Sequence, residues 1–430
     1  MSRRLWLLLV FIAHWSLTAT GQSAVHDYAR NVIDTLTSPT MNGRGYVDSS
    51  DYKAATFIRN EFAAMQLKPL SENYFQTFTF SANTFPGEMK VKYDGKKLIP
   101  GKDFLVDAAS SGVKGKFKVV PVIKENKQDT SVIAGPDALK KLQHVENKPV
   151  LLSYNRNDWT KQQLQVLRDV LNGTNAFTAK GIIESDTGKL TWDAAQDTIP
   201  FLRLELHSAQ PLQQSKIKVD IDASFKGNYL SRNVMAFIPG SVSSDTFIVF
   251  TAHYDHLGQM GDGTYFPGAN DNASGTSMVL NLAKYYSEHP LKYSVAFICF
   301  SGEELGLLGS SYFVGHPVFP LDKIKFLINV DIVGTGDDGI KVVNATEFPK
   351  QFEQLVKLNN EQQYLKQVLP RGKAANSDHY PFYVNGVPCF FIYTLGGIAA
   401  YHDVYDRAET LPLTDYEDLF RLLVEFAGDL

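Results

Sequence analysis

Hydrophobic spacing along the chain changes character twice. Residues 24–36 and 51–65 repeat at helical period, and in the second segment Tyr52, Ala55, Phe57, Ile58, Phe62 and Met65 fall mostly on one face. From about Tyr74 to Val106 apolar and polar positions alternate as in strands, broken by turn pairs at Pro86-Gly87, Asp94-Gly95 and Pro100-Gly101. Between about Gly112 and Lys226 the runs KFKVVPVI, KPVLLSY, AKGIIE and IPFLRLEL are short, the surroundings are rich in Lys and Gln, and one amphipathic helix is predicted over 160–171. From Ser231 onward apolar strands at 234–238, 247–252, 294–300, 325–330 and 388–393 alternate with helices at 273–288, after Glu304, at 348–364 and at 415–427. Near-continuous apolar strands separated by helices predict an α/β fold, a mixed, mostly parallel sheet with helices on both faces. The middle region predicts a smaller β-rich accessory domain. The expected division is a leader over 1–21, helices and strands of the main body over 22–111, the accessory insert over 112–226 and the principal α/β domain over 227–430.

The first residues change this picture only at its edge. Arg3 and Arg4 precede an apolar run, Leu5 to Ala13, and Ala19-Thr20-Gly21 supplies small residues for cleavage. This pattern reads as a secretory signal peptide, so the protein is expected to be exported, to the periplasm or outside the cell, with no stable membrane insertion after cleavage. Lys+Arg number 42 against 46 Asp+Glu, a formal net charge of -4, and this whole-chain balance gives no reason to invoke nucleic acid or an anionic membrane. Two cysteines, Cys299 and Cys389, lie in apolar strand-like runs and read as buried free thiols.

The chemistry gathers at strand ends in the last two hundred residues. His253 and Asp255 follow the strand FIVFTA, Asp271 opens a helix in GANDNASG, Glu303 and Glu304 follow VAFICFSG, Asp331 ends FLINVD, and His402 follows PCFFIY in AYHDVYD. Ligands of open α/β sheets bind beyond the carboxyl ends of the strands, so one sheet edge can gather these segments. Imidazole nitrogen and carboxylate oxygen are zinc donors, and two close zinc ions need a shared ligand. Asp271 at a helix start is a reasonable bridge, though geometry alone leaves the other acids open. The pair Glu303-Glu304 supplies two carboxylates whose side chains diverge, one to bind metal and one to act as base. Asp255, two residues beyond His253, is placed to receive the other ring N–H of that histidine.

These motifs carry a resemblance. TAHYDHLG, GANDNASG, FSGEELGLLGS, NVDIVG, SDHYPF and YHDVYD, in this order, resemble the co-catalytic di-zinc peptidases that include bacterial leucyl aminopeptidase, the glutamate carboxypeptidases and the transferrin-receptor-like proteins. The resemblance covers about 231–430 and implies a zinc-dependent aminopeptidase hydrolysing the N-terminal bond of peptide substrates with two Zn²⁺ per chain. It places His253 and Asp331 on one ion, Glu304 and His402 on the other, and Asp271 between them through a cis peptide to Asn272. Glu303 becomes the general base for a water shared by the metals. Asp378 and His379 of SDHYPF become supporting residues, with His402 rather than His379 as ligand. Tyr401 takes the position of a tyrosine that stabilises the oxyanion, because GKAANSD lacks the tyrosine some members carry there. The middle segment resembles the protease-associated domain inserted in many of these enzymes. A carboxypeptidase or dipeptidase on the same site, with Arg371 or Lys373 holding the substrate carboxylate, is the alternative, and glutaminyl cyclisation with one zinc is a more distant one.

Overall fold

The computed structural model describes residues 24–122, 150–173, 179–209, 212–213 and 215–430; the leader over 1–21 lies outside them. The principal sheet has nine strands. Four parallel strands form its centre, in the order Tyr293–Phe300, Ser243–His253, Ile324–Val330 and Cys389–Thr394. The flanks are antiparallel. Ser224–Ile238 joins one side and carries Phe75–Thr84 and Lys68–Pro69. Ile340–Val343 joins the other side and pairs in parallel with Val368–Pro370.

The central strands are apolar through most of their buried length because both faces are covered. Along Ser243–His253, Ile248 and Phe250 enter one core together with Val295, Phe297 and Ile328. That core is closed by the helix over 24–36, whose Ala29, Val32, Ile33 and Leu36 recur at helical spacing, and by helices Ser50–Ala64, Gly275–Glu288 and Tyr416–Asp429. Phe247 and Val249 point the other way, against Phe313 and Phe382 of the short helices Leu308–Gly315 and His379–Val384. Cys299 and Cys389 are buried free thiols. Among the described residues no helix is long and apolar enough to cross a membrane.

A second, eight-stranded sheet forms the accessory body, in the order Lys96–Leu98, Met89–Tyr93, Lys216–Ile221, Val113–Pro121, Val150–Asn155, Ala179–Asp186, Leu202–His207 and Phe104–Val106. It therefore takes in residues from Met89, earlier than the expected boundary at 112. Phe75–Thr84 and Met89–Tyr93 both alternate with period two, and that period does not say which sheet a strand joins. Helix Lys161–Gly173 packs Leu164 and Leu167 onto Val150, Leu152 and Tyr154, covering part of the outer face. The inner face does not stand alone. Its Val91, Phe117, Val119, Ile217 and Val219 share one core with Leu257, Met260, Phe266 and Val404 of the principal domain.

Candidate metal centre

The loops at the carboxyl ends of the parallel strands bring the predicted acids and imidazoles into one buried cluster. Ser243–His253 ends on His253, Tyr293–Phe300 leads to Glu303 and Glu304, and Ile324–Val330 leads to Asp331. Asp271 enters where Gly275–Glu288 packs down on the sheet. A side chain at Gly275 would put its Cβ 2.5 Å from the Val330 carbonyl oxygen, so glycine permits that approach. The Asp271–Asn272 peptide bond is cis. Two side chains, one accepting and one donating, fix the segment from outside. The main-chain N–H groups of Asn270 and Asp271 donate to Asp406 Oδ1 and Oδ2 at 2.8 and 3.0 Å. The buried Arg44 guanidinium donates to the carbonyls of Tyr254, Pro267 and Gly268.

Asp271 lies between the two imidazoles. Its Oδ1 is 3.4 Å from His253 Nε2, and its Oδ2 is 3.1 Å from His402 Nε2. Asp331 Oδ2 lies 3.4 Å from His253 Nε2, and Glu304 Oε2 lies 3.1 Å from His402 Nε2. Glu303 Oε2 stands 4.0 Å from His253 Nε2, with its side chain 15% exposed against 4% for Glu304. Of the two neighbours, Glu303 faces the opening. Tyr401, 44% exposed, stacks on the His402 ring at 4.0 Å between centroids.

Each ring is oriented from behind. His253 Nδ1 lies 3.2 Å from the Asp255 carbonyl oxygen and 3.9 Å from its carboxylate. The expected ring-to-carboxylate bond is thus made by the main chain. The Asp255 carboxylate instead accepts from the Tyr46 hydroxyl at 2.6 Å and from the Glu303 N–H at 3.2 Å, which fixes the loop bearing the glutamates. His402 Nδ1 reaches the Trp192 carbonyl at 2.9 Å and Asp193 Oδ1 at 3.2 Å, both from the accessory body. The Trp192 N–H returns a bond to the His402 carbonyl at 2.9 Å. Lys189 adds bonds to the carbonyls of Ala399 and Tyr401, both at 2.8 Å, and an ion pair with Asp403 at 2.7 Å. Gln196 donates to the Leu305 carbonyl at 2.7 Å, beside the glutamate pair. His402 itself has φ of +52°, a left-handed conformation that is costly for a residue with a side chain.

Ser377 Oγ donates to Asp331 Oδ2 at 3.1 Å, while Asp378 and His379 are buried behind the cluster. Burial pushes the Asp378 carboxyl up to about 7 and the His379 ring down to about 4. Arg371 donates to the Tyr393 hydroxyl at 3.1 Å. Sequence reasoning passed over several contributors. His256, whose Nδ1 lies 2.6 Å from Glu304 Oε1, sits three residues from His253 in the same motif. Asp406 closes the YHDVYD motif. Lys189, Trp192, Asp193 and Gln196 lie in an insert with no local chemical pattern, and no spacing signal points to them.

The electrostatics separate the two adjacent glutamates. Burial lifts the Glu303 carboxyl well above its ordinary value, and Asp378, Glu304 and Asp331 push the same way against His253. Glu304 is likewise opposed by burial, yet His402 and His256 hold it well below the ordinary carboxylate range. One carboxyl is adapted to carry a proton and the other to stay ionised. Burial works against a charged His253 ring, but Asp331, Glu303 and Asp271 together raise its affinity for a proton.

Burying this many carboxylates together is costly unless a cation joins them. The donors are imidazole nitrogens and carboxylate oxygens, the set zinc takes. Asp331 Oδ1 is buried with no hydrogen-bond partner among the described residues, a lone pair left for an ion. His253, Glu303 and Asp331, and separately His253, Asp271 and Glu304, each present donor atoms within 4.8 Å of one another. The residues fit zinc.

The fold and this cluster define an α/β domain with a buried metal-binding edge. Residues 233–427 match the model of peptidase family M28. The aminopeptidase YwaD of Bacillus subtilis is 29% identical over 193 residues, which are 44% of this chain and 41% of that protein. A probable zinc metalloprotease of Pyrenophora tritici-repentis is 38% identical over 116 residues, 25% of this chain and 23% of the relative. The chain thus spans less than half the length of these curated relatives. Among solved structures, the zinc aminopeptidase BSAP from Bacillus subtilis superposes with a TM-score of 0.65 at 19% identity, over 93% of this chain and 95% of that one. The aminopeptidase from Aneurinibacillus sp. strain AM-1 superposes at 0.59 with 21% identity, over 93% and 92%. Both likenesses extend across the accessory body as well as the principal domain.

Proposed function

We propose that the chain is a two-zinc exopeptidase that hydrolyses the N-terminal bond of peptide substrates, exported by its leader. The observation that carries this reading is the Asp271 carboxylate, with one oxygen toward His253 and the other toward His402. His253 and Asp331 would hold one ion, Glu304 and His402 the second, and Asp271 both. Zinc bound there would bring the acidity of water toward neutral pH and draw electron density from a carbonyl oxygen.

The remaining chemistry belongs to the chain. Glu303, partly open and with raised proton affinity, takes the proton of the attacking water and passes it to the leaving amine. The Tyr401 hydroxyl donates to the developing oxyanion. Asp255 holds the Glu303 main chain, and the accessory segment holds His402. The test is metal analysis of the purified chain together with a panel of aminoacyl-arylamides and N-acylated dipeptides. Two zinc ions with hydrolysis of free N-termini support the proposal. One ion per chain, or turnover confined to blocked N-termini, would overturn it, the latter in favour of the carboxypeptidase reading.

A further inference from the structure

The whole-chain charge of -4 conceals a local excess of the opposite sign on the accessory sheet. In a strand, alternate side chains share a face, and residues opposite one another across a pair share it too. Strand register therefore fixes the outer face of Lys96–Leu98, Met89–Tyr93, Lys216–Ile221 and Val113–Pro121. Lys97, Lys92, Lys218 and Lys116 stand side by side in one row across all four strands. In the next row Lys216 faces Lys118. In the row on the other side Lys90 and Lys114 flank Asp220. All these lysines are exposed, whereas Val91, Phe117, Ile217 and Val219 between them are buried on the opposite face, against the principal domain. Lys114 pairs with Asp220, and Lys90 with Glu88. Among the described residues no carboxylate pairs with Lys92, Lys97, Lys116, Lys118, Lys216 or Lys218.

Like charges directly opposite one another destabilise a sheet. Lys218 has lysine on both sides, as does Lys92, so the grid weakens the isolated fold. The same outer face is treated differently further along, where helix Lys161–Gly173 covers Val150–Asn155 and Ala179–Asp186. Among the described residues no helix covers the other half, which is a broad face of point charges on flexible stems. No arginine, whose planar fork suits specific phosphate recognition, stands in it. Nor do its rows place an aromatic ring for stacking against a base.

We infer that this face docks the protein on a bilayer bearing anionic phospholipid headgroups, with the principal domain on the far side of the accessory sheet. Lysines near such a surface each strengthen association about fivefold, and salt screens the attraction within about 10 Å at 0.1 M. A sheet face meets a planar layer of charge without entering a groove, and it needs no sequence or stereochemical match. The attraction is reversible and does not require insertion.

The test is flotation of the full chain with vesicles of phosphatidylcholine alone and with about 30% phosphatidylglycerol, a range that gives measurable surface potential. The wild-type chain is expected to float with the anionic vesicles at low salt, to be released as salt rises, and to bind neutral vesicles weakly. K92E/K116E/K218E should lower partition to anionic vesicles by at least roughly 100-fold, about fivefold for each lysine lost, with the added carboxylates lowering it further. It should hydrolyse soluble substrates at the wild-type rate, and an unchanged melting temperature establishes that it is folded. If the triple reversal unfolds the sheet, the milder K92Q/K218Q is used, with a proportionately smaller loss. Equal binding to neutral and anionic vesicles, or full binding by the folded reversal variant, overturns the inference. So does tight binding to heparin or duplex DNA without binding to anionic vesicles, which would assign the face to another polyanion.

Discussion

Replacing Lys189 by Met should weaken a metal site that Lys189 does not touch. The ammonium bonds two carbonyls, of Ala399 and Tyr401, and pairs with Asp403, thereby holding the loop that carries Tyr401 and His402. Hydrogen bonds from a charged donor are worth about 1.5–3 kcal/mol each where water is excluded. Lys189 is 42% exposed, so solvent screening reduces each to well under that range. The left-handed backbone at His402 favours release of the loop by a further amount on the order of 1 kcal/mol. Against this, the reciprocal bonds between Trp192 and His402 survive the substitution. A net loss of about 2 kcal/mol corresponds to roughly 30-fold. That factor should appear in kcat/KM for an aminoacyl-arylamide, and a loss of similar size in affinity for the more weakly held zinc, measured by chelator competition. Lys189→Arg should recover much of both, since charge and reach are kept. If Lys189→Met stays within about threefold of wild type in both measurements while folded, the accessory segment is not what positions His402.

Three further outcomes follow from the same geometry. Glu303→Gln should retain both zinc ions and lose about 10²–10⁴-fold in kcat, the usual contribution of a positioned base; full activity would remove Glu303 from the mechanism. If one carboxylate serves both ions as proposed, Asp271→Ala should lower the affinity of both together, and metal analysis showing one site intact would refute the bridging assignment. His379 is neutral in the fold, its ring pushed from the ordinary 6.5 down to about 4 by burial. The unfolded chain takes up that proton first, so this stability is complete above about pH 6.5 and is lost as pH falls toward 4, about 3 kcal/mol in all. His379→Gln should flatten that part of the stability curve, measured by denaturant unfolding with chelator present throughout, and an unchanged slope would show that another group sets it.

The principal domain was legible because its central strands hold near-continuous apolar runs and its acids sit at their ends. His253, Asp271, Glu304, Asp331 and His402 could be named together since each follows a recognisable strand or opens a helix. What could not be read was the support around them. Asp255 has the right spacing to face the His253 ring, but backbone direction turns its carboxylate toward Tyr46 and the Glu303 N–H. Asp193 meets His402 across 209 positions of chain, a contact set by domain packing that no local pattern encodes. The early start of the accessory sheet was hidden for a similar reason. Met89–Tyr93 alternates like its neighbour Phe75–Thr84, and only the three-dimensional partner tells the two apart.

The core shared by the accessory sheet and residues Leu257, Met260, Phe266 and Val404 makes the insert a wall of the principal domain. Val404 is two residues from His402, so the apolar contact that seals the junction adjoins the metal edge. Excising the insert would strip that wall and open the interior of both halves to water. The two bodies should therefore melt in a single cooperative transition, and the insert should resist exchange as a cassette between enzymes unless the facing residues of the host change with it.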